Sequence, residues 1–430
     1  MSSQLDQFLD VILALGVVLA VAHLCGRLVQ FVGQPKVVGE MVSGIMLGPS
    51  VLGALAPEWS AAIFTTEARS AIFMLSQIGL SSYMFLVGCD IDIALLDRSM
   101  ARRAAALSFA GIAPSMILGG ACGVMFFEAL ADDSQRSNVW QFAFYLGSAL
   151  SLTAFPMLAR ILEEHRLAAT SIGVLALFAA SIDDAVAWCL LPLIVALAES
   201  RSIAHGFLPI LGALGFVALC FFVFRPLFAF VGRKVEARGA LLQEEFALVI
   251  VLLLVVIGLT DRIGVYSVFG GFVLGACMPR SAALLAAIRA NMYQYVVVFF
   301  LPMFFASTGL GTEMRLLFAG GLLIPFFTIL FVAFFGKYAV CAAAMRASGF
   351  SWRDASALGG LFNARGLMLL IFANVGVHHA LIGKSVFALL VTVAVITTAA
   401  AMPIFDWSQR ASRSSRLASH CPPVQARTRT

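Results

Sequence analysis

The sequence is poor in charged residues. Only 12% of its 430 residues are Asp, Glu, Lys or Arg, about half the share of an average soluble protein, whereas 61% are hydrophobic and the mean hydropathy is +0.98. This composition excludes the soluble classes and indicates an integral membrane protein. Gly (36) and Phe (37) are both abundant, which fits this class because small residues let membrane helices approach closely.

Signals of several other functions are also missing. The net charge of +5 comes from Lys and Arg clustered between apolar stretches, which is a topology signal, so we expect no nucleic-acid partner. The eight cysteines are scattered without a C-x-x-C pair or a nearby His, so we expect neither a structural metal nor a cofactor. The first apolar run lacks the basic start and cleavage site of a signal peptide, so we expect it to be retained. No nucleotide-binding G-x-G-x-x-G pattern follows the apolar part.

Long apolar runs dominate the chain. A helix needs roughly 20 apolar residues to cross a bilayer, and runs of this kind predict thirteen spans. The weakest division is between the eighth and ninth, where only Asp261 and Arg262 separate two short runs, and twelve spans is the alternative count. The predicted spans are 6–29, 37–55, 70–89, 103–127, 139–161, 168–198, 207–231, 245–260, 264–279, 290–311, 316–345, 354–376 and 380–405.

The distribution of Lys and Arg supports the count of thirteen. One set of alternate connections, together with the C-terminal segment, holds twenty of these residues and the other set holds six. Because cytoplasmic loops carry the excess of Lys and Arg, we expect the N-terminus outside and the C-terminus in the cytoplasm. The polar, basic residues 406–430 have too little apolar surface to fold, so we expect a disordered cytoplasmic tail after a membrane domain of residues 1–405.

Two adjacent carboxylates lie in the middle of the sixth span. Asp183 and Asp184 have apolar stretches of about a dozen residues on either side, which argues against a position at the membrane surface. An ionisable side chain at this depth costs roughly 2.5–3.5 kcal/mol on insertion scales and usually marks an ion or proton path. Adjacent helical residues point about 100° apart, so the two cannot share one partner symmetrically. Desolvation and like charge both favour the protonated form, so we expect at least one of the pair to exchange protons.

Two basic residues and one further carboxylate also fall inside predicted spans. Lys337 has only the aspartate pair as acidic partners at similar depth, so we expect an ion pair there, the alternative being a lysine that extends to the interface. Arg365 is about ten residues from either end of the twelfth span. Glu40, near the start of the second span, is either functional or an ordinary helix-end charge.

Two spans contain sequences that interrupt a helix. In the fifth, the string SLTAFP ends at Pro156, and a proline removes a backbone hydrogen bond and crowds the preceding turn. In the twelfth, residues 359–366 read GGLFNARG, with three glycines, an amide and a charge. Interrupted spans at corresponding positions predict a transport site at the membrane midplane between two inverted repeats, here about 70–198 and 316–405.

These motifs together resemble a known family. VGE at 38–40, GIMLGP at 44–49, TAFPMLARIL at 153–162, the aspartate pair, Gly336-Lys337 and NARG at 363–366 resemble the second branch of the monovalent cation:proton antiporter superfamily. The similarity covers about residues 8–405. It implies an all-α membrane protein of about thirteen helices, with an inverted-repeat core (about 70–198 and 316–405), two crossing discontinuous helices, a dimerisation scaffold (about 6–55 and 207–311) and usually a homodimer.

The resemblance also implies roles for individual residues. Asp184 resembles the residue that binds cation and proton in turn, Asp183 the charge partner of Lys337, and Thr153 a residue on the unwound stretch beside the ion. The positions that line the discontinuous helices are Pro156, Asn363, Arg365 and Gly366. The Asp-Asp-Lys pattern is similar to that of electrogenic members.

We therefore expect a secondary transporter of the inner membrane, not an enzyme, that exchanges Na⁺ or K⁺ for protons by alternating access. The main alternative is a channel that conducts K⁺ without proton coupling. An intramembrane aspartyl protease would need carboxylates on two facing helices, and an organic-anion symporter would favour Ser, Thr and Asn over a carboxylate pair. The choice between Na⁺ and K⁺ rests on cavity size and hydration and stays open.

Overall fold

The structure, a computed structural model, describes residues 2–90, 98–131, 135, 137–168, 170–198, 203–264, 266–318 and 321–418. In these ranges every regular element is helical, as the composition and the resemblance predict. The α-helices are α1 (Ser2–Phe31), α2 (Lys36–Leu47), α3 (Leu52–Leu55), α4 (Pro57–Ile63), α5 (Thr66–Asp90), α6 (Arg98–Met125), α7 (Phe127–Leu130), α8 (Val139–Ser151), α9 (Phe155–Glu164), α10 (Ser171–Ala198), α11 (Ile203–Leu219), α12 (Arg225–Arg238), α13 (Gln243–Ile263), α14 (Ser267–Ala276), α15 (Ala282–Tyr295), α16 (Leu301–Leu310), α17 (Leu323–Ala347), α18 (Trp352–Leu361), α19 (Gly366–His378) and α20 (Lys384–Ala418).

Twelve helical segments in the described residues are long and apolar enough to cross a membrane, so the chain is a multi-pass membrane protein. Each of them overlaps one predicted span. The remaining predicted span, 264–279, corresponds to α14, which has only ten residues and is shorter than the roughly 20 that a crossing needs. The division before it is real, because α13 ends where Gly264 adopts the left-handed conformation with φ 85°.

The helices pack as two groups. We call α6, α8–α10 and α17–α20 the core group, and α1, α2, α5 and α11–α16 the scaffold group. The sequence predicts that 70–89 belongs to the core, whereas α5 packs along α14 and α16, so we group it with the scaffold helices. Sequence periodicity cannot decide this point, because an apolar helix looks the same whichever neighbours bury it.

Parts of the scaffold group are joined by direct contact between backbones. A Cβ atom on Gly309 of α16 would lie 1.9 Å from the carbonyl carbon of Gly44 in α2. A Cβ on Gly275 of α14 would lie 2.0 Å from the carbonyl oxygen of Phe85 in α5. Small residues at these crossings allow the helix axes to come close, which maximises van der Waals contact where lipid supplies no hydrophobic driving force.

The C-terminal segment differs from the prediction of a disordered tail that begins at residue 406. Helix α20 continues through Ala418, with Pro403 inside it. Ser408, inside the predicted tail, is buried and its hydroxyl lies 2.8 Å from that of Ser356 in α18. Contacts with α18 therefore stabilise a helix that the local composition does not favour. Residues 419–430 lie outside the described part of the chain.

Candidate functional site

The interruption predicted in the fifth span is present. Helix α8 ends at Ser151, Leu152 and Ala154 are extended, and α9 begins at Phe155. Pro156 lies in the first turn of α9, where its missing N–H would have no helical partner in any case. The proline therefore starts a new half-helix, and the backbone groups freed at the gap need partners from elsewhere in the protein.

The interruption predicted in the twelfth span is also present, and it crosses the first. Helix α18 ends at Leu361 and α19 begins at Gly366. The backbone N–H of Ala154 donates to the carbonyl oxygen of Ala364 at 3.0 Å, and the Thr153 hydroxyl donates to the carbonyl oxygen of Phe362 at 3.2 Å. The two gaps thus satisfy part of each other's hydrogen bonding at the crossing.

Two buried cations lie at the C-terminal end of α8. The guanidinium group of Arg365 donates to the carbonyl oxygens of Leu150 and of Ala333 in α17. The ammonium group of Lys337 donates to the carbonyl oxygen of Ser151 at 2.5 Å. The last carbonyls of a helix lack partners within it and carry partial negative charge. Arg365 and Lys337 therefore compensate the end of this half-helix, and both side chains are fully buried.

Asp183 is fully engaged by its neighbours. Its Oδ1 accepts a hydrogen bond from the Ser108 hydroxyl of α6 at 2.6 Å. Its Oδ2 accepts from the backbone N–H of Thr153 at 3.2 Å and lies 3.3 Å from Lys337 Nζ. Lys337 is 0% exposed, so it does not extend to the interface. Both carboxylate oxygens of Asp183 therefore have partners, as a buried ion pair requires.

Asp184 is buried but only half satisfied. Its Oδ1 accepts a hydrogen bond from the N–H of Phe155, the first residue of α9, at 3.3 Å. This helix end carries partial positive charge, which favours an anion. Its Oδ2 has no hydrogen-bond partner in the described part of the chain. A buried carboxylate oxygen without a donor needs a proton or a cation to be stable there.

The remaining predicted site residues shape the crossing. The Asn363 side-chain NH₂ donates to the carbonyl oxygen of Gly359 at 3.2 Å, and its Oδ1 has no partner among the described residues. The N–H of Gly366 donates to the Thr398 hydroxyl at 3.0 Å, and a Cβ on Gly366 would lie 2.2 Å from the Met157 side chain. These residues hold the two half-helices in place without contacting either aspartate in the described hydrogen bonds.

Similarity to known proteins agrees with this geometry. The sodium/hydrogen exchanger transmembrane family, compared as a sequence profile, matches residues 17–407. The Na⁺/H⁺ antiporter NhaS4 of Synechocystis sp. is 35% identical over 388 residues, which are 90% of this chain and 94% of that protein. The chain belongs to the sodium/hydrogen exchanger family.

Other members of the exchanger family are more distant. Cation/H⁺ antiporter 17 of Arabidopsis thaliana is 32% identical and matches 91% of this chain but 47% of its own length. K⁺/H⁺ antiporter 1 of Saccharomyces cerevisiae is 26% identical and matches 86% of this chain and 43% of its own. This chain spans about half the length of these two relatives. The fold matches the sodium proton antiporter MjNhaP1 of Methanocaldococcus jannaschii with a TM-score of 0.61 at 15% identity, over 96% of this chain and 99% of that one.

A cavity of about 1000 Å³ lies between the two groups of this exchanger. On the core side it is lined by residues of α19 and α20 and by Trp188, Leu191 and Val195 of α10. The α10 residues follow Asp184 at intervals of four, three and four, which places all of them on one face of the helix. The cavity therefore lies on the C-terminal side of Asp184 along α10. The buried Trp188 side chain is one helical turn from the carboxylate.

Sequence reasoning missed two features of the exchanger. Ser108 is a single serine in an apolar span, and nothing in its spacing indicates that it binds Asp183. Arg160 lies at the end of the fifth predicted span, where the sequence gives it no special role, yet it is 6% exposed and forms a bidentate pair with Glu40 at 2.6 and 2.7 Å. The signal that could have found this pair is the charge of Glu40 inside an apolar span, which needs a partner.

Proposed function

We propose that this chain exchanges a monovalent cation, Na⁺ or K⁺, for H⁺ by alternating access, with no resident cofactor. Asp184 is the group that binds cation and proton in turn. The observation that carries this proposal is the state of the two aspartates. Asp183 has a donor or a counter-ion at both oxygens, whereas Asp184 Oδ2 is buried without one.

The charges around the site explain why only loaded states would move. A bare Asp184 carboxylate in an apolar barrier is expensive, because its second oxygen has neither solvent nor donor. A proton or a monovalent cation neutralises this carboxylate and removes the cost. Binding is competitive because both ligands need the same oxygen. Exchange then follows because the unloaded form, with its bare carboxylate, does not change conformation.

Asp183, Lys337 and Arg365 act as the fixed frame of this site. Lys337 and Arg365 compensate the C-terminal end of α8, and Asp183 holds Lys337 against it. Thr153 connects the frame to the ion site, since its N–H binds Asp183 while its hydroxyl binds the other interrupted helix. The cation ligands besides Asp184 would come from this unwound stretch, whose backbone is not fully used by helices.

Relatives support the reaction class and leave the ion open. The similar proteins carry the names Na⁺/H⁺, cation/H⁺ and K⁺/H⁺ antiporter. We also propose the inner membrane as the location, with the N-terminus outside, and a homodimer formed through the scaffold group. The excess of Lys and Arg in one set of connections supports this orientation.

The test is exchange in proteoliposomes that contain a pH-sensitive dye. Na⁺, K⁺, Li⁺ and Rb⁺ are added separately, and an exchanger moves protons in a direction that reverses with the cation gradient. Asp184→Asn should abolish this signal, because an amide can neither release a proton nor neutralise a cation. The control is Asp6→Asn, whose side chain is exposed on α1. An Asp184→Asn protein that exchanges at the original rate would remove Asp184 as the carrier, and cation flux without proton movement would indicate a channel.

A further inference from the structure

Helix α9 connects the core group to the scaffold group through a buried ion pair. Arg160 of α9 donates through both of its terminal nitrogens to the carboxylate of Glu40 in α2, at 2.7 and 2.6 Å. Both side chains are buried, and Arg160 also lies 3.6 Å from Glu164. A bidentate guanidinium–carboxylate pair combines charge with a fixed geometry. This contact therefore defines one relative position of the two groups.

Further contacts on the same half-helix join it to the scaffold. The Tyr83 hydroxyl of α5 donates to the carbonyl oxygen of Pro156 at 3.0 Å. Arg289 of α15 lies 2.9 Å from the Glu163 carboxylate. The backbone N–H of Lys36 donates to Glu164 at 2.9 Å. A helix of ten residues thus has polar ties to three scaffold helices.

Apart from the Tyr83 contact, which lies midway along α5, these ties lie far from the cavity. Helix α5 shows this directly, because Gln77 lines the cavity whereas Asp90 binds Arg289 at 2.7 Å. Thirteen residues of helix separate them, which corresponds to about 20 Å. The core and scaffold groups are therefore tied through α9 at one end and line the cavity at the other, where Asn374 of α19 donates to the Thr308 hydroxyl of α16 at 3.4 Å.

The tied helix is also the one that contacts the ion site. Phe155, its first residue, donates its N–H to Asp184. The Glu40–Arg160 pair lies five residues further on, about 8 Å along the axis. Any movement of α9 relative to α2 must separate this pair and must carry the Phe155 N–H with it. The ion site and the ion pair are thus coupled through one short rigid element.

We propose that the Glu40–Arg160 pair is a clasp that holds the exchanger in the cavity-open conformation. The pair separates each time the ion site becomes accessible from the other side of the membrane. This inference rests on the proposed function. Burial of two charges contributes little net stability, because desolvation offsets their attraction, so a role in switching accounts for the pair better than a role in folding. Removal of Glu40 leaves Arg160 only its 3.6 Å contact with Glu164 and shifts the population toward the cavity-closed form, in which water reaches the site from the clasp side.

Accessibility of the cavity tests this proposal. Val195→Cys introduces a thiol in the cavity lining, and a membrane-impermeant thiosulfonate added from the cavity side measures the fraction of time that the cavity is open. The otherwise unchanged protein gives the background from native cysteines. In the Val195→Cys protein, Glu40→Gln should lower the labelling rate by about tenfold, because the cavity is then open for a smaller fraction of the time. The exchanged pair Glu40→Arg with Arg160→Glu should restore most of the rate.

The matched control breaks an ion pair inside the scaffold group. Arg238 and Glu245 lie 2.5 Å apart, and Arg238→Gln should leave labelling of Val195→Cys unchanged because that pair does not join the two groups. If Glu40→Gln does not fold, Glu40→Asp keeps the charge but shortens its reach, and it should lower the rate by a smaller factor. A labelling rate within twofold of the parent in the folded Glu40 variant would overturn the clasp.

The outcome is separable from the proposed exchange reaction. Labelling needs no transported ion, so the effect of Glu40→Gln should also appear when Asp184→Asn is present. Loss of exchange in the Glu40 variant with unchanged labelling would show a structural role only and would contradict the clasp. If Glu40→Gln changes the labelling rate but the parent protein itself moves no protons, the clasp is supported and the proposed function is removed.

Discussion

Removal of Lys337 tests whether the buried pair with Asp183 is a matched unit. Lys337→Met keeps most of the side-chain volume but leaves the Asp183 carboxylate without its counter-ion and the Ser151 carbonyl without its donor. Loss of one partner of a buried ion pair destabilises a protein by roughly 3–5 kcal/mol. Asp183→Asn should cost a similar amount, because it leaves the ammonium group with only a carbonyl partner.

The double variant distinguishes a pair from two independent residues. Lys337→Met with Asp183→Asn removes both charges, so its destabilisation should be smaller than the sum of the single effects by about 3 kcal/mol, within the ~1.5–7 kcal/mol measured for close charge pairs. An unfolding entropy of about 2.1 cal/mol/K per residue gives ~0.9 kcal/mol/K for this chain. Each single variant should therefore lower the melting temperature by about 3–6 °C, and the double variant by about 3 °C less than their sum.

The assay is thermal unfolding of the purified protein in detergent, followed by intrinsic fluorescence and by retention of the monodisperse peak. Lys384→Met is the control, since Lys384 is exposed and lies 3.6 Å from Glu313, and a surface pair contributes about 1 kcal/mol or less. Strict additivity of the two single effects would refute the reasoning, because it would mean that the 3.3 Å contact carries no energy of its own.

Two further substitutions test other contacts. Ser108→Ala should lower stability by about 1.5–3 kcal/mol and slow exchange, because it removes the 2.6 Å hydrogen bond to a charged group. Ser115→Ala on the same helix should change neither quantity, since its hydroxyl has no partner among the described residues; equal effects of the two would contradict the role of Ser108. Gly309→Ala should reduce the yield of folded protein, because its Cβ would enter the backbone of α2 at 1.9 Å, whereas Gly16→Ala meets nothing within 4 Å. A Gly309→Ala protein as stable as the Gly16→Ala protein would show that the two backbones can separate freely.

The sequence predicts those features of this structure that depend only on neighbouring residues along the chain. A proline or a glycine cluster interrupts a helix wherever it lies, so both gaps could be placed from residues 151–156 and 359–366. A charged side chain in an apolar span costs free energy in any fold, which is why Asp183, Asp184 and Lys337 could be singled out. These inferences do not depend on knowing which helices are neighbours.

The features that could not be predicted depend on long-range packing. The membership of α5 in the scaffold group follows from contacts with α14 and α16, far away in the sequence. The Glu40–Arg160 pair joins residues 120 positions apart, and the Ser108–Asp183 hydrogen bond joins residues 75 positions apart. The contacts of Ser408 and Gln409 with α18 likewise join residues more than 50 positions apart, and they support a helix that a polar composition does not favour.

The glycine contact between α2 and α16 determines where flexibility can reside. At Gly44 and Gly309 the two backbones touch directly, so no side chain is present that could change rotamer and let one helix slide past the other. Glu40 lies one turn before Gly44 on α2. Its backbone therefore belongs to a part of the scaffold group that cannot slide along α16. Separation of the Glu40–Arg160 pair must then come from movement of α9 relative to α2, not from sliding of α2 along α16.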